Sequence, residues 1–426
     1  MKKVGLALLG LGTVGGGTYR IIKNNHDMIA KTEGIDLQVL CVLEKNVARA
    51  KELGVDLSIV GTDIEKVINN PEISIVAEFF GGIEPARTFL IKSLLAGKSV
   101  VTANKELIAK HWHELEEAAK KGKAGLYFEA SCVGGVPIIR TLTEGMQANN
   151  ILSIKGIING TTNYILTKMA ESGQSYESAL KEAQDLGYAE ANPSADVDGY
   201  DASYKISILS SLAFRTKVPL EKVYREGISK VTAEDIAYGK EFGLTLKLLG
   251  IAKMTDGKVD VRVHPVFIPD LHPLAAVRGS FNAVHLIGDA VGDIMLYGRG
   301  AGDLPTGSAI VSDIVFAATQ KKHKYSPFNN TGKHLSDKGF IKDFKSEYYI
   351  RMTVNDRSGM LAKITSAFGK QNISITTVTQ KPGTDIVPLV FITHETSESS
   401  INKALAEIVK CDGVVSIDNV IRVERD

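Results

Sequence analysis

Cysteine is scarce in this chain of 426 residues, which contains only three. Cys41, Cys132 and Cys411 are odd in number and widely spaced, so neither a disulfide framework nor a CxxC metal site is available. This usage indicates a reducing compartment. No apolar run approaches the length of about 18 residues that a membrane span needs, and the first run, 4–9, is too short for a secretory signal. We therefore expect a cytoplasmic protein with no membrane partner.

An excess of charge of either sign is also missing, because 50 Lys and Arg stand against 49 Asp and Glu. The net charge of +1 gives no overall field to hold nucleic acid or an anionic membrane surface, so a polyanion binder is disfavoured. Glycine, by contrast, is abundant, with 40 residues. At roughly 100 to 200 residues per domain, the length predicts more than one domain.

Short apolar runs alternate with amphipathic stretches through residues 1–140; the runs are 4–9, 37–43, 73–80, 99–102 and 125–129. Such alternation is typical of βαβ units and of a parallel sheet covered on both faces. Beyond residue 151 the pattern predicts a strand at 154–158, helices from about 160 to 250, and strands at 260–270 and 282–298. The polar segment 321–345 has the composition of a linker, and the order βαββαβ over 347–426 predicts a small ferredoxin-like sandwich.

A glycine-rich turn, Gly10-Leu11-Gly12-Thr13-Val14-Gly15, connects the first strand to a helix. In this context GxGxxG predicts a dinucleotide site, because its glycines permit in turn the bend, the approach of a pyrophosphate and the packing of helix on strand. The cofactor-binding candidates are Gly10, Gly12, Thr13, Val14 and Gly15. The alternative is a glycine-rich βα turn without a ligand.

Glu44 follows the second strand, where an acidic residue would bind the adenine ribose. Its charge would favour NAD over NADP by repelling a 2′-phosphate. Lys45 and Arg49 could reverse that preference, and a surface ion-pair role for all three is an equally open interpretation.

Six carboxylates and no Lys or Arg lie between residues 182 and 204: Glu182, Asp185, Glu190, Asp196, Asp198 and Asp201. Such a cluster must be solvated or must meet a cation. An EF-hand calcium loop is excluded, because counting from Asp196 its Gly stands at the fourth position rather than the sixth. The ammonium group of a small substrate is the alternative partner.

Asp201 and Lys205 are four residues apart, so a helix would place both side chains on one face. An ordinary helical ion pair is the commoner explanation of this spacing. The following turns are apolar almost all round, however, and burial would lower the pKa of such a lysine while the aspartate would raise it. Lys205 is therefore a candidate acid and base, and the structural and catalytic interpretations both stay open on this ground.

Three further loops concentrate turn residues after strands, at 102–105, 129–135 and 300–303. Open parallel sheets bind their ligands at the carboxyl ends of strands, so each loop is a candidate wall of the site, although each could also be an ordinary connection. Cys132 is a candidate nucleophile, but a packed thiol is the more usual state.

The motifs GLGTVGGG from Gly10, VTANKELIA from Val101, GIINGTTNYILTKM from Gly156 and DLGYAEANPSADVDGYDASYK from Asp185 resemble the homoserine dehydrogenase family, and the C-terminal unit resembles its ACT domain. The resemblance covers essentially the whole chain. It implies an α/β protein in which a Rossmann-type dinucleotide-binding domain spans 1–140 and is completed by 302–320. An α+β catalytic and dimerisation domain (141–301), a linker (321–346) and a ferredoxin-like ACT regulatory domain (347–426) follow.

The resemblance implies NAD- or NADP-dependent interconversion of L-homoserine and L-aspartate 4-semialdehyde in threonine, methionine and isoleucine biosynthesis. It makes Lys205 the proton donor and acceptor at the substrate oxygen and places Lys105 at both the cofactor and the active site. It assigns the substrate to Tyr188, Glu190, Asp196 and Asp201, a cofactor contact to Gly302, and a sodium ion to Glu129 and the backbone carbonyls of Cys132, Gly134 and Val136. Threonine as an effector of the ACT domain and a homodimer or homotetramer are implied as well.

Two positions depart from the family pattern. Leu43-Glu44-Lys45 lacks an Arg suited to NADP, and Asp356-Arg357-Ser358-Gly359 has Ser where ACT domains commonly have Pro, so cofactor preference and effector stay open. Two rival functions also follow from the residues. One is an aspartate-semialdehyde dehydrogenase with Cys132 as the acyl-carrying nucleophile, and the other is a non-catalytic amino-acid sensor.

Overall fold

The computed structural model describes residues 1–320, 336 and 339–425. Its N-terminal part is a parallel sheet with strands β1 (Lys2–Leu9), β2 (Ile35–Leu43), β3 (Val60–Gly61), β4 (Ile73–Glu78), β5 (Ser99–Thr102) and β6 (Leu126–Tyr127). The helices are α1 (Thr13–Asn24), α2 (His26–Glu33), α3 (Val47–Glu52), α4 (Ile64–Ile68), α5 (Ala86–Leu95) and α6 (Lys105–Gly122). The strand order is β3-β2-β1-β4-β5-β6. Because this order reverses direction between β1 and β4, the crevice that such sheets use for ligands opens there.

The continuous apolar run of β1 is explained by burial on both faces of the sheet. Ala7 and Leu9 pack into one hydrophobic cluster, whereas Leu6 and Leu8 pack into another, and none of the four is exposed. Strands buried on both faces lose the alternation of polar and apolar residues that half-exposed strands show.

The middle of the chain combines helices with a largely antiparallel sheet. The helices are α7 (Ile138–Arg140), α8 (Gly160–Ser172), α9 (Tyr176–Asp185), α10 (Ser194–Val197), α11 (Tyr200–Ala213) and α12 (Ala233–Glu241). The strands are β7 (Ile151–Ile157), β8 (Tyr224–Arg225), β9 (Leu244–Thr255), β10 (Lys258–Pro269), β11 (Phe281–Gly288) and β12 (Gly292–Arg299). Helix α13 (Asp303–Thr319) then returns to the first sheet and packs on α1, where a Cβ on Gly17 would collide with the backbone of Asp303.

The prediction of helices up to residue 250 is wrong at its end, where Leu244–Thr255 forms β9. This segment pairs antiparallel with β10 along its whole length. Its leucine-rich run suits a helix as well as a strand, and the partner strand decides between them, because strand preference depends mainly on packing.

The C-terminal unit comprises β13 (Lys345–Asn355), α14 (Met360–Lys370), β14 (Ile375–Gln380), β15 (Ile386–Thr393), β16 (Thr396–Ser397), α15 (Glu398–Ile408) and β17 (Val414–Val423). Its main sheet has the order β17-β13-β15-β14, with α14 and α15 packed into one cluster against it. The predicted α/β architecture with a ferredoxin-like third unit is confirmed.

A parallel pairing of β17 with β10 joins the C-terminal and middle strands into one 11-stranded sheet. Most of the predicted linker, 321–346, lies outside the described residues; in its described part Phe340 forms a bridge with Val259. Within the described ranges, no helix has the length and apolar character needed to span a membrane.

Candidate active site

The glycine-rich turn leads from β1 into α1 at the edge where the strand order reverses. Gly10 has φ +103°, a left-handed value that favours glycine, and a Cβ on Gly15 would clash with the carbonyl oxygen of Gly10. Gly12, the N-cap of α1, has no atom within 4 Å of the place a Cβ would take. The turn, which includes Thr13 and Val14, therefore presents its backbone at Gly10 and Gly12 to a groove of about 540 Å³. This cradle at a helix N-terminus fits a dinucleotide pyrophosphate.

Glu44 lines the same groove and points back to the glycine-rich turn. Its carboxylate accepts hydrogen bonds from the backbone N–H of Leu11 at 2.7 Å and of Asn46 at 2.8 Å. Arg49 pairs with Glu52 rather than with Glu44, and its Nε donates to the carbonyl of Leu11. Lys45 is exposed at the groove. The carboxylate is thus fixed beside the turn, where it can meet ribose hydroxyls.

A buried polar network connects the groove to the start of α6. Thr102 donates to Glu78 at 2.5 Å, and the backbone N–H of Asn104 donates to Thr102 Oγ1 at 3.0 Å. The Asn104 amide donates to the carbonyls of Phe80 and Gly82. Burial raises the pKa of Glu78 to about 7. Sequence reasoning missed Glu78, which it treated only as part of an apolar strand.

The first residue of α6, Lys105, meets two residues of α11 in a charged cluster. Lys205 Nζ donates to Asp201 at 2.6 Å and to the carbonyl of Ile158 at 2.8 Å, and Lys105 Nζ lies 3.0 Å from the other Asp201 oxygen. Burial alone would raise the pKa of Asp201, but the charges of Lys205 and Lys105 outweigh it and hold that pKa below its usual range. The Asp201 charge in turn raises the pKa of Lys105. One buried carboxylate is therefore shared by two lysine side chains.

Asp196 joins this cluster through Asn159. The Asn159 amide nitrogen donates to Asp196 at 2.6 Å and to Asp201 at 2.9 Å. Burial raises the pKa of Asp196. In the part of the chain that the structure describes, no Lys or Arg lies within ion-pair distance of Asp196, so its charge is open to a cationic ligand.

The six carboxylates of 182–204 do not form one site. Glu182 pairs with Lys168 at 2.8 Å, and Asp185 pairs with Lys181 on the helix surface. Tyr188 and Glu190 lie exposed between α9 and α10, with the Tyr188 ring 4.8 Å from that of Tyr164. Asp196 and Asp201 are the two members that join the cluster around Lys105 and Lys205, Asp196 through Asn159.

Comparison with known proteins identifies the family to which this arrangement belongs. The homoserine dehydrogenase model matches residues 137–315, the homoserine dehydrogenase NAD-binding model matches 10–129, and the ACT model matches 348–413. The homoserine dehydrogenases of Bacillus subtilis and Corynebacterium glutamicum are each 41% identical, over 100% and 99% of this chain and 99% and 96% of their own. The chain belongs to the homoserine dehydrogenase family. Its reaction is the NAD(P)-dependent interconversion of L-homoserine and L-aspartate 4-semialdehyde in amino-acid biosynthesis.

Solved homoserine dehydrogenase structures share the fold. The enzyme from Thiobacillus denitrificans superposes with a TM-score of 0.94 at 40% identity, covering 100% of this chain and 99% of its own. A hyperthermophilic archaeal homoserine dehydrogenase in complex with NADPH has a TM-score of 0.63 at 30% identity, covering 74% of this chain and 97% of its own. A nicotinamide cofactor for the groove is thereby supported.

The residues predicted to hold a sodium ion lie in a tight turn beside the cluster, where the Cys132 thiol contacts the carbonyl of Lys205. Burial, and then the charge of Asp313, raise the pKa of Glu129 to about 7. Arg140 is bonded to Asp313 at 2.7 Å, so one guanidinium faces two buried carboxylates. Val133 and Gly134 both have φ +58°, so the backbone between Cys132 and Val136 passes through a left-handed turn. These oxygen ligands suit a hard cation in their chemistry, although both Glu129 oxygens also accept backbone N–H groups from 139 and 140.

Gly302 has φ +122° and is the N-cap of α13. The loop before it packs against the sodium-candidate turn, since a Cβ on Gly134 would collide with Gly300 and the N–H of Gly135 donates to the carbonyl of Arg299 at 3.1 Å. Gly302 thus lies between the loop that packs on that turn and Asp303, whose backbone contacts α1 at Gly17.

Proposed function

We propose that Lys205 donates and accepts the proton at the substrate oxygen, with Asp201 and Lys105 beside it. The observation that carries this proposal is a lysine only 10% exposed, held between a carboxylate and a carbonyl on an almost wholly buried helix. Reduction of the aldehyde builds negative charge on oxygen, and a positioned ammonium stabilises that charge and then protonates it. The nicotinamide, when bound, supplies or accepts the hydride.

Asp196, Asp201, Glu190 and Tyr188 are proposed to hold the amino-acid part of the substrate. Asp201 already carries two lysines, whereas Asp196 has none among the described residues, which makes Asp196 the acceptor of the substrate ammonium. Tyr188 and Glu190 lie in the exposed loop between α9 and α10, just before Asp196, and would cover the substrate from its solvent side.

NAD is the proposed preferred cofactor, held by Gly10, Gly12, Thr13, Val14 and Gly15 at the pyrophosphate and contacted by Lys105 and Gly302. The fixed carboxylate of Glu44 beside the turn supports this preference, because it would accept ribose hydroxyls and repel a 2′-phosphate. The positive charge of the neighbouring Lys45 would instead attract a 2′-phosphate and favour NADP. Initial rates of homoserine oxidation, measured at the nicotinamide absorbance band with each cofactor in turn, test the preference for NAD. A higher kcat/KM with NADP than with NAD would overturn it.

A sodium ion at Glu129 and the carbonyls of Cys132, Gly134 and Val136 is proposed as a structural support of the site. Two buried carboxyl groups, Glu129 and Asp313, stand against the single guanidinium of Arg140, and this imbalance supports a cation there.

For the ACT domain we propose threonine as effector and assembly into a homodimer or homotetramer. Calorimetry that detects no heat with threonine would contradict the effector. A monomer in size-exclusion chromatography with light scattering would contradict the oligomer. A cytoplasmic location stays a prediction from composition.

The decisive test is Lys205→Ala. Loss of a general acid typically lowers turnover by about 10²- to 10⁴-fold, and the affinity for NADH should barely change because Lys205 does not line the groove. Turnover is measured by absorbance and NADH affinity by fluorescence titration. Lys110→Ala, on α6 and partly exposed, is the matched control and should keep turnover. Equal losses of turnover and cofactor affinity would contradict the assignment.

The two rival functions find no support at the site. Cys132 is fully buried, and burial raises the pKa of its thiol to about 12, so the thiolate that an acyl-carrying nucleophile requires is disfavoured. A non-catalytic sensor would not need both lysines gathered on Asp201.

A further inference from the structure

Asn159 is a buried residue between β7 and α8, where it caps the start of α8. Its side-chain oxygen accepts hydrogen bonds from the N–H of Thr162 at 2.9 Å and from the Thr162 hydroxyl at 3.0 Å. These two donors fix the orientation of the amide, because only its oxygen can accept their hydrogen bonds and its nitrogen can only donate. The amide nitrogen must therefore point away from α8.

That nitrogen has two hydrogens, and each meets a different carboxylate. One is donated to Asp196 of α10 at 2.6 Å and the other to Asp201 of α11 at 2.9 Å. Asp201 is buried and Asp196 is half-buried, and two carboxylates so close together repel each other. A neutral double donor between them allows both to stay close and charged.

We propose that Asn159 is a positioning residue that holds Asp196 and Asp201 in register, so that Asp196 faces the substrate ammonium while Asp201 keeps the two lysines. This inference rests on the proposed function of Asp196. The amide also has to be neutral. A lysine at this place would satisfy Asp196 and remove its demand for an ammonium group, whereas a carboxylate would add a third negative charge.

The first variant for a test is Asn159→Ser. Serine keeps the capping oxygen that α8 requires, but its single hydroxyl cannot donate to both carboxylates. We expect the KM for homoserine to rise about 10- to 100-fold, the factor that one charge-assisted hydrogen bond is worth, with a much smaller change in kcat and none in NADH affinity. Asn159→Asp, which also keeps a cap, should raise KM further.

Asn163→Ser is the matched control. Asn163 lies one turn further along α8, is equally buried, and holds the backbone at 277, 279 and 281 instead of the aspartates. It should lower the thermal midpoint without raising KM. A rise of KM in Asn163→Ser equal to that in Asn159→Ser would mean a general loss of structure and would overturn the inference.

A double-mutant cycle with Asp196→Asn separates this inference from the function on which it rests. If Asn159 acts through Asp196, Asn159→Ser should raise KM much less in the Asp196→Asn background than alone. A normal KM in Asp196→Asn alone would contradict the proposed substrate role of Asp196. A raised KM in Asp196→Asn with a normal KM in Asn159→Ser, or fully additive effects, would overturn the role of Asn159 only.

Discussion

Glu78 offers a test of how the sheet tolerates a carboxyl beneath the cofactor groove. It is fully buried at the end of β4, and one of its oxygens accepts the Thr102 hydroxyl while the other has no hydrogen-bond partner among the described residues. Burial raises its pKa from 4.5 to about 7. We consider the substitution Glu78→Gln, which keeps the acceptor for Thr102 and cannot ionise.

The magnitude follows from the pKa. A tenfold change in a protonation equilibrium is worth about 1.4 kcal/mol, so a rise from 4.5 to about 7 amounts to about 3 kcal/mol. Below pH 4.5 the carboxyl is protonated in the folded and the unfolded chain and no penalty exists. As the pH rises to about 7 the unfolded chain loses its proton first, so the free energy of unfolding falls. The free energy of unfolding of Glu78→Gln, relative to that of the native chain, should therefore rise by about 3 kcal/mol between pH 4 and pH 8.

Urea unfolding at several pH values measures this difference. Trp112, the only tryptophan, is buried in α6 of the same domain, so its fluorescence reports the relevant transition. Other titrating groups are common to both chains and cancel in the comparison. Glu117→Gln, whose native side chain is 73% exposed, is the control and should show no pH-dependent difference. A difference between Glu78→Gln and the native chain that stays constant from pH 4 to pH 8 would refute the reasoning.

Two further substitutions test the cofactor turn and the contact between domains. Gly15→Ala should abolish NADH binding in a fluorescence titration, because the added Cβ collides with the Gly10 carbonyl, whereas Gly61→Ala, with open space around it, should bind normally. Arg351→Ala should lower the free energy of unfolding by about 3–5 kcal/mol, because it strands the buried Asp235 that Arg351 contacts at 2.7 Å. The exposed pair of Arg357 with Asp412 should contribute less than about 1 kcal/mol in the same urea measurement.

The elements that the sequence predicts best are those decided locally. The GxGxxG turn needs only a strand before it and a helix after it, and the structure has both at β1 and α1. The i and i+4 spacing of Asp201 and Lys205 likewise needs only a helix, and their contact at 2.6 Å follows from it. In both cases fewer than about 20 consecutive residues carry the information.

Features decided by distant partners escaped prediction. Strand β9 takes its form from β10, and the shared sheet depends on β17 pairing with a strand far earlier in the chain. Glu78 lies within the apolar run 73–80, and its polar role depends on Thr102 from a neighbouring strand. The acidic stretch 182–204 suggested one cluster of carboxylates. In the structure Glu182 and Asp185 lie on α9 and form separate ion pairs with Lys168 and Lys181.

The charges of the assembled cluster explain why its parts come from separate segments. Lys105 comes from the start of α6, Asp201 and Lys205 from α11, and Asp196 from α10, so two lysines meet two carboxylates, of which Lys205 and Asp201 are buried. A zwitterionic amino acid adds one charge of each sign and leaves the balance at zero, which limits the cost of burying it. Any single segment would have concentrated one sign, as 182–204 does. The carboxylate of Asp201 can therefore stay charged in its buried position because a lysine from the dinucleotide-binding domain joins Lys205 beside it.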